Sequence, residues 1–361
     1  MASKPTLSTL EWLRLGIAIL HTISRSIAAI AAIPFRLSKG PPSFSRHVAF
    51  AISRAYVHSV FPKALVAITP STEEVYCKFV ASQGLEAQTI TLSDGSRAHW
   101  LGNPSAEKVL LFFHGGGYLM SAVAGHFHLL HQTIREVEQK GGKLAVLFLS
   151  YDVSFQAPYP RQLQQATEVL RHTLTALERK PENIFLAGDS AGGNLALGLL
   201  SHILHPHHQI ARLDLSSNLA GLVLLSPWVT FTTTSHSIRK NQYRDILAAP
   251  VLNNWSAIFK GTAQRDSYLE PLSAPADWWR SLPVGKVQII AGTDEVFVDD
   301  IEKFAEQLER MHPETVLNVV PDEAHDHAVM EFVFNEKRSG QRAVFERWVL
   351  DMVSGDSVKA L

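Results

Sequence analysis

A chain of 361 residues with 46% hydrophobic and 19% charged residues carries enough apolar material for one large α/β domain, and that balance excludes an intrinsically disordered protein. The formal net charge is −1 and no long Lys/Arg run occurs, so neither the whole chain nor any segment of it is built for nucleic acid. Cys77 is the only cysteine, which excludes an intramolecular disulfide and fits a reducing, intracellular setting better than secretion.

The chain opens on an apolar leader. From Trp12 to Phe35 nearly every residue is apolar, long enough at first sight to span a bilayer. Arg14, His21 and Arg25 interrupt it at intervals of seven and four residues. At ~100° per residue these three share one helical stripe, with Glu11 near the same side. A helix with a narrow cationic stripe and a wide Leu/Ile/Ala face lies on a surface more readily than it crosses one. Residues 1–40 are therefore expected to rest on a membrane or to cap an apolar pocket of their own protein. A transmembrane anchor and a secretory signal remain open readings, both weakened by Arg25. Pro34 and then Gly40-Pro41-Pro42 end the segment.

Residues 41–86 read as a helical cap segment ending at Gly84, with Cys77 as a small residue in ordinary packing. From Ala87 the pattern alternates, turns at Ser93-Asp94-Gly95-Ser96 and resumes to Leu101, which is a hairpin signal. Beyond it, apolar runs at 109–113, 144–149, 183–187, 221–225, 287–291 and 316–320 alternate with helical stretches such as 161–178 and 300–311. Buried strands recurring with helices between them mean a mostly parallel sheet covered on both faces, so 87–361 are expected to form one α/β domain. The aromatic-rich stretch 232–281 exceeds what a crossover needs and is expected to supply a cap or pocket wall.

Within this frame, Gly188-Asp189-Ser190-Ala191-Gly192 matches G-x-S-x-G between a strand and the helical run Gly193–Leu200. A serine on such a sharp turn needs small neighbours for the turn to close, and the helix behind it offers free N–H groups to developing negative charge. His114-Gly115-Gly116-Gly117-Tyr118 follows an earlier buried strand. Three glycines there make sense where backbone must approach a reacting oxyanion, with the N–H groups of Gly116, Gly117 and Ala191 as donors. His114 is expected to order that loop.

Together these motifs resemble the hormone-sensitive-lipase-like family of α/β hydrolases, whose marks are HGGG and GDSAGG. The resemblance extends to Tyr151-Asp-Val-Ser-Phe-Gln-Ala-Pro-Tyr-Pro160, similar to a segment that braces both loops in the family, and to Ser226-Pro227-Trp228. It covers roughly 87–350, and the leader carries none of it. It implies an α/β-hydrolase fold and a carboxylesterase without cofactor or metal.

In this fold the triad runs serine, acid, histidine. The acid loop, Gly292-Thr-Asp294-Glu295-Val-Phe-Val-Asp299-Asp300, holds too many carboxylates. The family pattern is Asp-Pro-Leu-x-Asp; aligned on Asp299, its first acid falls on Glu295, with Asp294 as the alternative. Asp299 and Asp300 are expected to cap a helix beginning near Ile301. In Pro321-Asp-Glu-Ala-His325-Asp-His327 the family's histidine, which follows a small residue, matches His325, with His327 as fallback. His126, His128 and His131 do not share one helical face and read as ordinary helix residues. His205, His207 and His208 read as exposed loop.

The expectation is thus a serine hydrolase acting on a small-molecule ester, with the aromatic cap and apolar leader favouring a hydrophobic one. A cyclase or lyase on the same scaffold, an acyltransferase and a non-catalytic small-molecule receptor are the competing classes. A receptor would be expected to lose a triad residue, and none is lost here.

Overall fold

The computed structural model describes residues 4–32, 40–41, 43–275 and 277–355; Pro34, Phe35 and Pro42, which bear on the end of the leader, lie outside the described residues. Four helices precede the sheet: α1 (Thr9–Ala31), α2 (Phe44–Ser59), α3 (Pro62–Ile68) and α4 (Thr72–Ser82). Ser8 and Ser71 start α1 and α4 with capping boxes closed by Glu11 and Glu74, and Pro62 opens α3 where its missing N–H costs nothing. Cys77, expected in ordinary packing, is instead exposed on α4, because the helix buries its Tyr76, Phe79 and Val80 side.

Helix α1 buries only Leu15 and Ala18, and its polar stripe borders that side: Glu11 pairs with Lys63 at 2.7 Å, Arg14 lies 4.9 Å from the centre of the Phe61 ring, and His21 reaches Ser59 at 3.0 Å. Leu10, Trp12, Leu13, Ile17, Leu20 and Ile27 are each more than half exposed. By length and composition α1 could cross a membrane.

The hairpin strands are β1 (Thr89–Thr91) and β2 (Arg97–Gly102). Six further strands follow: β3 (Lys108–Phe113), β4 (Leu144–Ser150), β5 (Ile184–Asp189), β6 (Leu219–Leu225), β7 (Val284–Gly292) and β8 (Thr315–Val320). They form one sheet in the order β1-β2-β4-β3-β5-β6-β7-β8, with β1 and β2 antiparallel and β3 to β8 parallel to one another. The near-continuous apolar runs of β3, β4 and β5 are buried on both faces, as parallel strands under two helical layers must be.

The covering helices are α5 (Ala124–Gln139), α6 (Arg161–Thr175), α7 (Ala191–Leu204), α8 (His236–Lys240), α9 (Ala249–Lys260), α10 (Val298–Met311), α11 (His327–Phe334) and α12 (Gly340–Ser354). Helix α10 begins at Val298, so Asp299 and Asp300 lie in its first turn and do not cap it. Their carboxylates instead accept hydrogen bonds from the Ser237 N–H (2.8 Å) and the Ser235 hydroxyl (2.9 Å), tying α8 to α10. His207, expected in an exposed loop, is buried, and the ring of His205 lies 3.9 Å from that of Trp278. Within the 232–281 stretch, α9 packs against α2 and its Trp255 ring lies on Gly117.

Parallel register decides where chemistry can sit. Phe113 of β3 is level with Gly188 of β5, and Gly292 of β7 with Val320 of β8. The loops after β3, β5, β7 and β8 therefore leave the sheet at one edge, the carboxyl ends of the strands, where open α/β sheets bind ligands.

Candidate active site

Ser190 joins β5 to α7 with φ 50° and ψ −115°, a region that costs a non-glycine residue of order 1–3 kcal/mol unless its surroundings over-determine it. Here they do. The Ser190 N–H donates to the Leu225 carbonyl (2.9 Å), and the Ser190 carbonyl accepts from the Trp228 N–H (3.0 Å). Gly192 is obligatory: a Cβ there would lie 1.9 Å from the Phe113 carbonyl oxygen.

His325 follows β8, and its Nε2 is 2.9 Å from Ser190 Oγ. Both side chains are buried. Glu295, also buried, sets Oε2 3.7 Å from His325 Nδ1, an ion-pair distance slightly beyond a hydrogen bond. Asp294 points elsewhere, accepting from Arg244 Nη1 at 2.8 Å. His327 is likewise engaged away from Ser190, with its Nε2 3.1 Å from Glu336.

A fourth group touches this constellation. Asp326, in the left-handed region at φ 51°, is held by its N–H donating to Ser226 Oγ at 3.1 Å. Its Oδ2 lies 3.1 Å from His325 Nε2, the same nitrogen that faces Ser190. Burial pushes the Asp326 carboxyl up to about 7, against the pull of His325. Burial alone would lower His325, but Asp326, Glu295 and Asp245 outweigh it and lift the imidazole well above its ordinary value. Burial likewise raises Glu295.

The loop after β3 is braced from three sides. The Gly115 N–H donates to Asp189 Oδ1 at 2.9 Å, and Asp189 Oδ2 pairs with His126 Nε2 at 3.0 Å. The Tyr151 hydroxyl donates to the His114 carbonyl at 2.7 Å, and the two rings stack 4.2 Å apart. The Tyr118 hydroxyl donates to Asn194 of α7 at 2.7 Å. Burial and the charge of His126 draw His114 down to about 3, so its imidazole is neutral. Gly117 seats the Trp255 ring of α9, which a Cβ would approach to 2.2 Å. Among the described residues, no hydrogen bond is drawn from the N–H groups of Gly116, Gly117 or Ala191. Ala191 is the first residue of α7, where a helix leaves donors free.

The structure thus brings Ser190, His325, Glu295, Asp189 and the His114–Gly117 loop together and sets Asp294 and His327 apart. His126 and Asp326 belong to the constellation although sequence reasoning did not select them. The signal for His126 was Asp189: a buried carboxylate demands a partner, and the helix after the glycine loop offered three histidines. Of these, His128 packs on Phe332 and His131 on Phe79. No group of His, Cys, Asp and Glu that could hold a metal ion occurs among the described residues.

The family model described as alpha/beta hydrolase fold matches residues 110–329, and the chain belongs to that family. An esterase of Acinetobacter venetianus is 25% identical over 249 residues, covering 68% of this chain and 75% of the relative. Steryl acetyl hydrolase 1 of Saccharomyces cerevisiae is 27% identical over 134 residues, 36% of this chain and 28% of that protein. The crystal structure of an esterase from the bacterial hormone-sensitive lipase family superposes with a TM-score of 0.62 at 21% identity, covering 91% of this chain and 98% of that one, a likeness of fold.

Proposed function

We propose that the chain hydrolyses a carboxylic ester through an acyl-enzyme on Ser190. The observation that carries this reading is the 2.9 Å approach of His325 Nε2 to Ser190 Oγ at the end of a strained strand-to-helix turn. Ser190 Oγ bonds to the ester carbonyl carbon as its proton passes to Nε2. The N–H groups of Gly116, Gly117 and Ala191 hold the oxyanion, each such donor being worth about 3 kcal/mol in the transition state. The C–O bond to the alcohol breaks, and Nε2 returns the proton to the departing alkoxide. Water then repeats the sequence, releasing the acid and restoring Ser190. Glu295 holds the Nδ1 proton, its 3.7 Å gap closing as the imidazole gains charge. No step calls on a metal or cofactor. Incubation with a fluorophosphonate is expected to add one phosphonyl group to the native protein, by intact mass, and none to Ser190→Ala. An unmodified, well-folded native protein would overturn the reading.

Asp326 sets the pH range of this reaction. Nε2 accepts the serine proton only when the imidazole is neutral, and the Asp326 carboxylate favours the charged form. Glu295, Asp245, Asp189 and His126 also bear on this pair from the surrounding loops and from α5. Asp326→Asn removes one negative charge, lowers the His325 pKa and enlarges the neutral fraction at a given pH. The acid limb of the kcat/KM profile is expected to move down by about one pH unit, or ~1.4 kcal/mol. An unmoved or upward-moved limb would remove Asp326 from this role.

The ester is hydrophobic. One relative is named for steryl acetyl hydrolysis, and two aromatic residues of α9 pack on the oxyanion loop, Trp255 on Gly117 and Phe259 on Tyr118. Helix α1 takes the protein to a lipid surface: 23 residues span about 35 Å at 1.5 Å per residue, with the apolar face outward. The full chain is expected to sediment with phosphatidylcholine vesicles, and Leu13→Glu/Leu20→Glu to stay in the supernatant. A wild-type chain left in the supernatant would refute the membrane contact.

A further inference from the structure

A cavity of about 780 Å³ opens between α1, α2 and residues 242–250, within the range of about 300–1,000 Å³ that small-molecule sites occupy. Ser190, His325 and the oxyanion glycines are not among the described residues that line it. Its apolar wall is made of small side chains, Ala28 and Ala29 of α1, the capping Ala32 and Ala51 and Ala55 of α2, which leave a trough between the helices. Arg25 and Arg54 are in the wall together with His47 and His58, and none of the described lining residues is acidic.

The two arginines are close enough for the charge of one to act on the other. Burial draws Arg54 down to about 10 against the opposing charge of Asp245, and Arg25 adds a smaller push in the same direction as burial. Asp245 is not among the described lining residues, and its carboxylate accepts from the N–H groups of Ile246 (2.5 Å) and Val296 (2.6 Å). Arg54 instead donates to the Asp245 main-chain carbonyl. Arg25 is exposed at the rim on α1. Guanidinium groups bind carboxylates through paired, charge-assisted hydrogen bonds, and a part-buried Arg54 with an exposed Arg25 on the same wall, where no described lining residue is acidic, offers such a head group two donors. Gln242 and Tyr243 add polar groups to the lining.

We infer that this cavity binds a long-chain carboxylate, with the head on Arg25 and Arg54 and the hydrocarbon along the alanines of α1 and α2. Such an acid is the acyl half of a hydrolysed lipid ester. Only its source rests on the proposed hydrolysis; the site does not. The outward apolar face of α1 places the cavity beside the surface from which such a molecule would come.

The test uses the full chain carrying Ser190→Ala, titrated with cis-parinarate, a fluorescent long-chain carboxylate, and with its methyl ester. Because this variant forms no acyl-enzyme at position 190, binding stands or falls independently of the hydrolase reading. One saturable site is expected, with the methyl ester about tenfold weaker or more. Arg25→Glu is expected to weaken parinarate about tenfold without touching the ester, and Ala29→Trp to weaken both by filling the trough. Arg25→Glu lies at an exposed position, so it reports even where Ala29→Trp disturbs the packing of α1 on α2. Equal binding of acid and ester would overturn the anion site, as would saturable binding indifferent to both variants. Competition by phosphatidylglycerol vesicles with no binding of the free acid would assign the arginines to a lipid headgroup and overturn the inference.

Discussion

Replacing Ser190 by alanine is expected to lower kcat for ester hydrolysis by about a million-fold, and replacing His325 by alanine by nearly the same factor. The two act as one unit. Without Nε2 the hydroxyl keeps its proton at neutral pH, and without the hydroxyl the imidazole has nothing to activate in the first step. The double variant is therefore expected to be no worse than either single one. The activity that remains should come from the N–H groups of Gly116, Gly117 and Ala191, which position an ester for attack by water whatever stands at 190. Steady-state kinetics on a chromogenic ester, with folding checked by circular dichroism, reads both numbers. A Ser190→Ala protein within tenfold of wild type would mean that the chemistry runs through another group, and strictly additive losses would mean that the two residues act separately.

The second large effect belongs to Glu295. Glu295→Gln keeps the size of the side chain and removes its charge, so the imidazolium formed during attack loses its stabilising partner and the Nδ1 proton loses its acceptor. A loss of about 10⁴-fold in kcat is expected, the magnitude typical of neutralising a triad acid. Asp294→Asn should stay within about tenfold, because its carboxylate pairs with Arg244 and does not face His325. Its cost should fall on stability instead, since Arg244 loses a partner that is itself buried. The opposite ranking, with Asp294→Asn the damaging change, would reassign the acid. Because the two residues are adjacent, the comparison is tightly controlled: same loop, same charge change, different direction.

The fold was legible to within a residue or two at β3 to β6, and β7 begins three residues before the expected run. The apolar runs of β3 to β6 have no polar alternation, and that pattern has few explanations other than a sheet covered on both faces, whereas Lys286 and Gln288 interrupt β7 and Asn318 interrupts the edge strand β8. The glycine motifs were legible because backbone geometry leaves no substitute for them: a side chain at 192 would strike the Phe113 carbonyl, whatever the rest of the chain does. What escaped was decided by direction rather than by residue type. His126, His128 and His131 are equivalent on paper, and only the placement of α5 over β3 selects the first for Asp189. Asp326 reads as an ordinary loop carboxylate until its left-handed backbone turns it back onto Nε2. Asp299 and Asp300 read as caps if α10 begins at Ile301; with Val298 as its first residue they become a clasp for α8. The leader was the hardest segment, since a cationic stripe says which face is polar but not whether that face meets water or protein.

The alignment of strand ends has a practical consequence. The groups that would make Ser190 reactive come from loops after β3, β5, β7 and β8, far apart in sequence and adjacent only when four parallel strands are in register. An unfolded or slipped chain retains the serine but has no way to activate it. The yield of covalent adduct on Ser190 is thus a head-count of correctly assembled molecules, and it could serve as a folding assay for variants whose natural ester is never found.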